Sequence, residues 1–117
     1  ADPDLRLVAY GDMNDTRRSA AVRALQGSYN SPGYLTAVRA ADSHGHVWTH
    51  HWEYEDVYSR FDYVLVNNPA RQDLDFEASR SLDPDNWDQA SDHRAVLVVF
   101  RGAPTAHEHP RIPAAPV

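Results

Sequence analysis

The sequence Phe-Asp-Tyr-Val-Leu-Val-Asn at residues 61–67 is the strongest strand signal in the chain. Its β-branched and aromatic residues predict a strand, and Ala-Val-Leu-Val-Val-Phe at residues 95–100 predicts a second one. Both stretches lack polar alternation, and strands that are apolar on both faces are normally covered on both sides. A chain with only one clearly predicted helix has few residues that could pack over these strand faces. We therefore expect a partner chain, a second copy or an N-terminal half to contribute to it.

Weaker signals place the remaining elements around these two strands. Glycine, proline and capping residues mark where each element stops or starts. The expected elements are, in chain order, a strand over 5–10 ending at Gly11, a helix from Asp15 or Thr16 to Gln26 ending at Gly27, a short helix or strand over 34–42, an extended segment over 47–50 and a short strand over 74–82.

Length and composition exclude several classes of protein. We assign residues 1–101 to one domain and residues 102–117, with four prolines among sixteen positions, to an extended or disordered tail. Cysteine is absent, which excludes disulfides, zinc–thiolate sites and a cysteine nucleophile. No apolar run approaches the ~20 residues of a membrane span. The net charge of −6 argues against a protein that coats nucleic acid. All eleven basic residues are Arg, which fits either biased composition or phosphate recognition.

Three short motifs carry the candidate chemistry, and each stands at an end of an expected strand. Each also has a plain structural explanation when it is taken alone. Those explanations are a capped turn at Asp12, a salt bridge from Asp62 to an Arg such as Arg60, and a solvated turn at Asp92. The motifs are Gly-Asp-Met-Asn-Asp at 11–15, Arg-Phe-Asp-Tyr at 60–63 and Ala-Ser-Asp-His-Arg at 90–94.

The order of these motifs brings their side chains to a common edge. The first strand ends at Asp12 and Asn14, whereas the other two begin after Asp62 and after the pair formed by Asp92 and His93. If the first strand runs antiparallel to the other two, all five side chains meet at one end of the sheet. Carboxylates, an amide and an imidazole together suit Mg²⁺ or Mn²⁺ and phosphate chemistry.

The set Gly-Asp-Met-Asn-Asp, Arg-Phe-Asp-Tyr and Ser-Asp-His-Arg-Ala-Val, in this order, resembles the endonuclease/exonuclease/phosphatase superfamily. The resemblance covers residues 5–100, which correspond to the C-terminal half of the family domain. It implies an α/β (α+β) fold, namely half of a four-layered α/β/β/α sandwich with a mixed, largely antiparallel sheet and flanking helices. It also implies metal-dependent phosphoester hydrolysis by an activated water.

The resemblance assigns a role to each motif residue. Asp12 would orient or deprotonate the water, and Asn14 would donate a hydrogen bond to the phosphoryl oxygen. Asp62 would hold the imidazole of His93, and His93 would stabilise charge on the phosphate. Asp92 and Asp12 would lie at a bound Mg²⁺ or Mn²⁺. A carboxylate beside an imidazole fixes its tautomer and raises its basicity, so this division is physically sensible.

The family also needs an Asn, a metal-binding Glu and often a His from its N-terminal half, and no motif of this chain supplies them. We expect that half, or a self-associated copy, to cover the sheet face. The alternative is a catalytically incomplete fragment that binds or self-associates without turnover, so that the chain alone is inactive. The expected substrate is a phosphodiester, foremost in nucleic acid, while a lipid or sugar phosphate stays open.

A loop over residues 44–60 is rich in His and aromatic side chains. We interpret His50 and Trp52 as substrate-binding residues, together with Arg60, which would meet phosphate or pair with Asp56. An extra metal site using His50, His51 or Glu53 and a packed loop with solvated His are the alternatives.

Overall fold

The computed structural model describes residues 4–102, so the tail prediction over 102–117 falls, apart from Gly102, outside the described residues. Short strands dominate this part of the chain, and its two α-helices have seven and five residues. Within residues 4–102, no helix is long and apolar enough to cross a bilayer. The elements are β1 (Val8–Asp12), α1 (Ala20–Gln26), β2 (Thr36–Ala37), β3 (His50–Trp52), β4 (Val57–Ser59), β5 (Asp62–Val66), α2 (Asn68–Gln72), β6 (Leu74–Ser81), a 3₁₀ turn (Trp87–Gln89) and β7 (Val96–Phe100).

The strands form antiparallel sheets, which confirms the expected α+β class. β5 lies at the centre of a three-stranded sheet of order β1-β5-β2. β3 pairs with β4, and β6 pairs with β7 through a register shift between Asp75 and Arg80. A single parallel bridge from Ala41 to Arg80 links the segment after β2 to β6. The strongest strand signal of the sequence thus forms the central strand of this sheet.

Both faces of β5 are covered, as its apolar sequence predicts, but by residues of this chain and not by the partner chain, second copy or N-terminal half that we expected to contribute. Tyr63 and Leu65 pack on one face against Val22 of α1 and against Leu35. Val66 packs on the other face with Val38, Ala70 of α2 and Leu74, and Val64 is partly buried against the same cluster. Leu65 and Val66 are 0% exposed. In β7, by contrast, Leu97 and Phe100 stay exposed.

The first helix begins later than the sequence predicts, and the second was not predicted. α1 begins at Ala20 with Ser19 as its cap, because the Ser19 hydroxyl accepts a hydrogen bond from the Val22 N–H. The expected stop at Gly27 is confirmed, with φ at 78°. The undecided segment over 34–42 contains β2. Sequence reasoning missed α2, whose cap is Asn67 and which carries a proline in its first turn.

A buried ion pair joins Arg94, in the segment before β7, to Asp42, in the segment after β2. Arg94 is 3% exposed and donates hydrogen bonds to the Asp42 carboxylate at 2.7 Å and to the Trp48 carbonyl. Its guanidinium carbon also lies 3.5 Å from the centre of the Trp48 ring. Burial opposes ionisation of Asp42, but Arg94 and the backbone N–H groups of His46 and His44 lower its pKa to about 2.

We predict that Arg94→Met lowers the free energy of unfolding by about 3–5 kcal/mol, because it leaves the Asp42 carboxylate buried without its cation. Urea unfolding followed by circular dichroism measures the loss. The matched control is Arg80→Met, an exposed arginine, which we expect to change the free energy by no more than about 0.5 kcal/mol. Equal losses in the two variants would contradict a special role for the Arg94–Asp42 pair.

Candidate functional site

The end of β1 meets the start of β5, as the sequence predicts. The two strands are antiparallel, and Asp12 is the direct cross-strand partner of Asp62. The Met13 N–H donates to the Phe61 carbonyl at 2.8 Å and continues the ladder by one step. Directly paired residues project their side chains to the same face of a sheet, so the two carboxylates share one face.

His93 reaches this edge because its segment runs beside β3. Its backbone is held on both sides: the His51 N–H donates to the Asp92 carbonyl at 3.1 Å, and the Arg94 N–H donates to the Thr49 carbonyl at 2.7 Å. Thr49, which is 1% exposed, also fixes the start of β5. Its hydroxyl oxygen accepts from the N–H groups of Phe61 at 3.0 Å and of Asp62 at 3.1 Å.

The resulting carboxylate–imidazole cluster consists of Asp12, Asp62 and His93. His93 Nδ1 lies 2.7 Å from Asp62 Oδ2, and His93 Nε2 lies 3.7 Å from Asp12 Oδ2. The hydrogen bond to Asp62 raises the pKa of His93; burial opposes this, and the charges of Asp62, Asp12 and Asp92 reinforce it. With Nδ1–H donated to Asp62, the Nε2 atom faces Asp12 and solvent.

The turn after β1 orients the Asp12 carboxylate. Its Oδ1 accepts a hydrogen bond from the Asn14 N–H at 2.7 Å, and Asn14 adopts a φ of 50°. This is the capped turn that was the plain structural explanation of Asp12. The same carboxylate also belongs to the cluster, because its other oxygen, Oδ2, lies near His93. The Asn14 residue is exposed at the same edge.

Asp92 lies in a different group from Asp12. Asp92 Oδ2 lies 3.2 Å from His50 Nε2, and its side chain is 69% exposed. Two sets of side chains have potential ligand atoms within 4.8 Å of one another: Asp12, Asp62 and His93 form one, and His50, Asp92 and His93 form the other. Asp12 and Asp92, which were predicted to share one cation, therefore both lie near His93 but belong to different sets of potential ligands.

The three predicted substrate-binding residues have different surroundings. His50 lies beside the cluster, with its ring centre 4.7 Å from that of His93. Trp52 is 51% exposed at the end of β3. The Arg60 guanidinium instead donates to the Val38 carbonyl at 2.6 Å and lies 4.9 Å from the Tyr63 ring centre. Burial lowers the pKa of Arg60.

Asp56, the other partner considered for Arg60, is engaged elsewhere. Its carboxylate lies 2.8 Å from His51 Nε2, and the His51 ring stacks on Tyr58 at 4.2 Å. His51 therefore has its partners within the β3–β4 hairpin, and neither group of potential ligands includes it.

Sequence reasoning missed the residues that position the cluster, namely Thr49, Arg94 and Asp42. All three have buried polar side chains whose partners lie far away in sequence. The position of Arg94, directly before an apolar strand, could have indicated its role. A charged side chain at such a position must be either solvated or paired with an anion.

Comparisons of the chain with protein-family models, with curated proteins and with solved structures find no match. The three sequence motifs and the geometry of their side chains are therefore the observations that bear on function.

The donor chemistry of the first group fits a hard divalent cation. Mg²⁺ and Mn²⁺ prefer carboxylate oxygens and keep several waters. Asp12 and Asp62 place carboxylates on one face at an open edge, and their side chains are 48% and 22% exposed. A cation held by these oxygens retains access to water and substrate.

We predict that Asp62→Asn lowers the pKa of His93, because it removes both the hydrogen-bonding charge and its Coulomb attraction. Folding raises this pKa above its usual value of 6.5, so the associated stability is present below about pH 6.5 and is lost as pH rises through the folded value. NMR titration of the His93 ring in EDTA-treated protein measures the pKa. The control Asp56→Asn, which changes the partner of His51, should leave it unchanged. An unaltered His93 pKa in Asp62→Asn would contradict the assignment.

Proposed function

We propose that the chain is a metal-dependent phosphoester hydrolase that uses an activated water. The observation that carries this proposal is the cluster in which Asp62 holds His93 Nδ1 at 2.7 Å while Nε2 faces Asp12 at an open sheet edge. A carboxylate-oriented imidazole beside a second carboxylate can handle a proton and stabilise developing charge on a phosphate.

In this proposal each motif residue has one task. Asp12 accepts the proton of the attacking water or orients it, and Asn14 donates a hydrogen bond to the phosphoryl oxygen. His93 stabilises charge on the phosphate, and Asp62 keeps its imidazole in the required tautomer. Mg²⁺ or Mn²⁺ held by the Asp12 carboxylate, with Asp62 on the same face, would supply Lewis-acid stabilisation of the phosphoryl oxygens. Asp92, the other metal ligand that the resemblance implies, lies in the second set of potential ligands.

The resemblance to the endonuclease/exonuclease/phosphatase superfamily leads to the same proposal. Its three motifs occur in order at the end of β1, at the start of β5 and in the segment before β7, and their acidic and imidazole groups lie around His93. We infer that the chain forms the C-terminal half of a four-layered sandwich. The exposed face of β1 supports this, since Val8 is 37% and Tyr10 is 78% exposed on the side that carries Asp12.

The proposed substrate is a phosphodiester. A cleft of about 330 Å³ runs from Asp12 and Asp62 along Tyr10, Val64 and Val96, and so places an apolar surface beside the cluster. In the proposed sandwich the second sheet would cover the Tyr10 side of this cleft, so the phosphodiester class rests on the phosphate chemistry of the cluster and not on the apolar surface. Nucleic acid is the first substrate to test, with lipid and sugar phosphates as the alternatives.

We predict hydrolysis of bis-p-nitrophenyl phosphate that requires Mg²⁺ or Mn²⁺ and stops with EDTA. Asp12→Asn and His93→Ala should each lower the rate by about 10²–10⁴-fold, because each removes a proton-handling or charge-stabilising group. The matched control His51→Ala removes an imidazole that neither ligand group contains. Comparison with p-nitrophenyl phosphate separates diesterase from monoesterase activity.

Circular dichroism must show that all variants fold. Hydrolysis that persists in Asp12→Asn would contradict the proposal. A folded wild-type chain that hydrolyses neither substrate would contradict hydrolysis by this chain alone and would favour an incomplete half-domain.

A second candidate function is self-association of an incomplete half-domain through its open sheet. β1 is the end strand of its three-stranded sheet, and Val8 and Tyr10 on it are exposed. Unpaired strand edges and exposed apolar faces are surfaces that another chain or segment covers. An N-terminal half or a second copy of this chain is the proposed cover.

For self-association we predict a mass in sedimentation equilibrium that rises with concentration from 13.2 kDa toward twice that value. Tyr10→Arg should return the chain to the monomer, since it puts a charge on the apolar face. Tyr54→Arg is the matched control, because Tyr54 is 93% exposed in the turn between β3 and β4. A monomeric wild-type chain at all concentrations would rule this candidate out.

A further inference from the structure

We propose that His50, Asp92 and His93 form a binding site for a transition-metal dication of the Zn²⁺ type. This site shares His93 with the cluster of the proposed hydrolase but adds a second imidazole, and Zn²⁺ binding to it is measured without turnover. Two imidazole nitrogens and one carboxylate oxygen are the donors that Zn²⁺ favours, whereas Mg²⁺ favours oxygen donors throughout.

The spacing of the three side chains suits a small tetrahedral ion. Their potential ligand atoms lie within 4.8 Å of one another, and His50 Nε2 is 3.2 Å from Asp92 Oδ2. Two ligands bound at about 2.0–2.1 Å in a tetrahedral site lie about 3.4 Å apart. The existing separation of His50 and Asp92 is therefore close to the one that a shared Zn²⁺ ion needs.

The two imidazoles are held in place before any ion binds. A backbone bridge joins His50 to His93, and the His50 ring stacks on Phe61 with ring centres 5.1 Å apart. The His50 side chain is only 15% exposed. Fixed ligands lose little conformational freedom on binding, which favours affinity.

The contact with Asp62 prepares His93 to act as a ligand. Asp62 lies 2.7 Å from Nδ1, so Nε2 is the nitrogen left to bind an ion. A carboxylate that accepts the hydrogen bond of a ligating imidazole fixes its tautomer and makes it a stronger ligand. Asp92 is 69% exposed, which leaves the remaining positions on the ion open to water.

The test is isothermal titration of the EDTA-stripped full chain with ZnCl₂ and, separately, with MgCl₂. We expect His50→Phe to weaken Zn²⁺ binding at least about tenfold, since even loss of an outer hydrogen-bond partner costs about 10–100-fold. Phe keeps the ring that stacks on Phe61 but removes both nitrogens. We expect MgCl₂ titrations of wild type and His50→Phe to coincide.

The matched control is His51→Phe, the neighbouring imidazole that pairs with Asp56. We expect its Zn²⁺ affinity to stay within about twofold of wild type. Co²⁺ absorption in the visible range gives a second readout, and its tetrahedral bands should appear in wild type and in His51→Phe but not in His50→Phe. The remaining imidazoles, including His107 and His109, are identical in all three proteins.

Equal weakening by His50→Phe and His51→Phe, or no weakening by either, would overturn the proposal, because binding would then come from other imidazoles. Zn²⁺ binding is measured here without substrate. Failure of this site thus leaves hydrolysis by Mg²⁺ or Mn²⁺ untouched, and failure of hydrolysis leaves this site untouched.

Discussion

The antiparallel pairing of β1 with β5 is the constraint on which the site depends. It sets Asp12 opposite Asp62 and puts both carboxylates on the same face at the sheet edge. A slip of one residue would turn every side chain of one strand to the other face. The register is fixed because Tyr63 and Leu65 must face α1 while Val66 faces the second core cluster.

His93 belongs both to the proposed catalytic cluster and to the proposed Zn²⁺ site. Its Nδ1 atom is hydrogen-bonded to Asp62. Only Nε2 is then left, either for the cluster with Asp12 or for the group with His50 and Asp92. Because a single nitrogen binds one partner at a time, these two uses exclude each other. The buried polar contacts of Thr49 and Arg94 hold the backbone around this residue without touching its ring.

Sequence reasoning predicted the central features well where the signal is local. The strands around residues 61–67 and 95–100 and the stop at Gly27 are confirmed. Asp12, Asp62 and His93 lie together, but β7 belongs to a separate sheet with β6, and Asp92 lies in a different set from Asp12, contrary to the expectation of one common edge. It failed where partners are distant. Arg60 was expected to meet phosphate or Asp56, yet its guanidinium lies at the Val38 carbonyl, 22 residues away along the chain. α2 was missed because five residues are too few for a hydrophobic period to appear.

The strand-forming stretches, the lack of cysteine chemistry and the chemical types of side chain at the strand ends can all be read from the sequence. These are properties of composition and of neighbouring residues. The pairing of Asp92 with His50 and of Asp12 with Asp62, with His93 in both groups, is visible only in the folded chain. This pairing depends on how the β3–β4 hairpin lies against the segment before β7, and a backbone contact between residues more than forty positions apart leaves no local pattern to read.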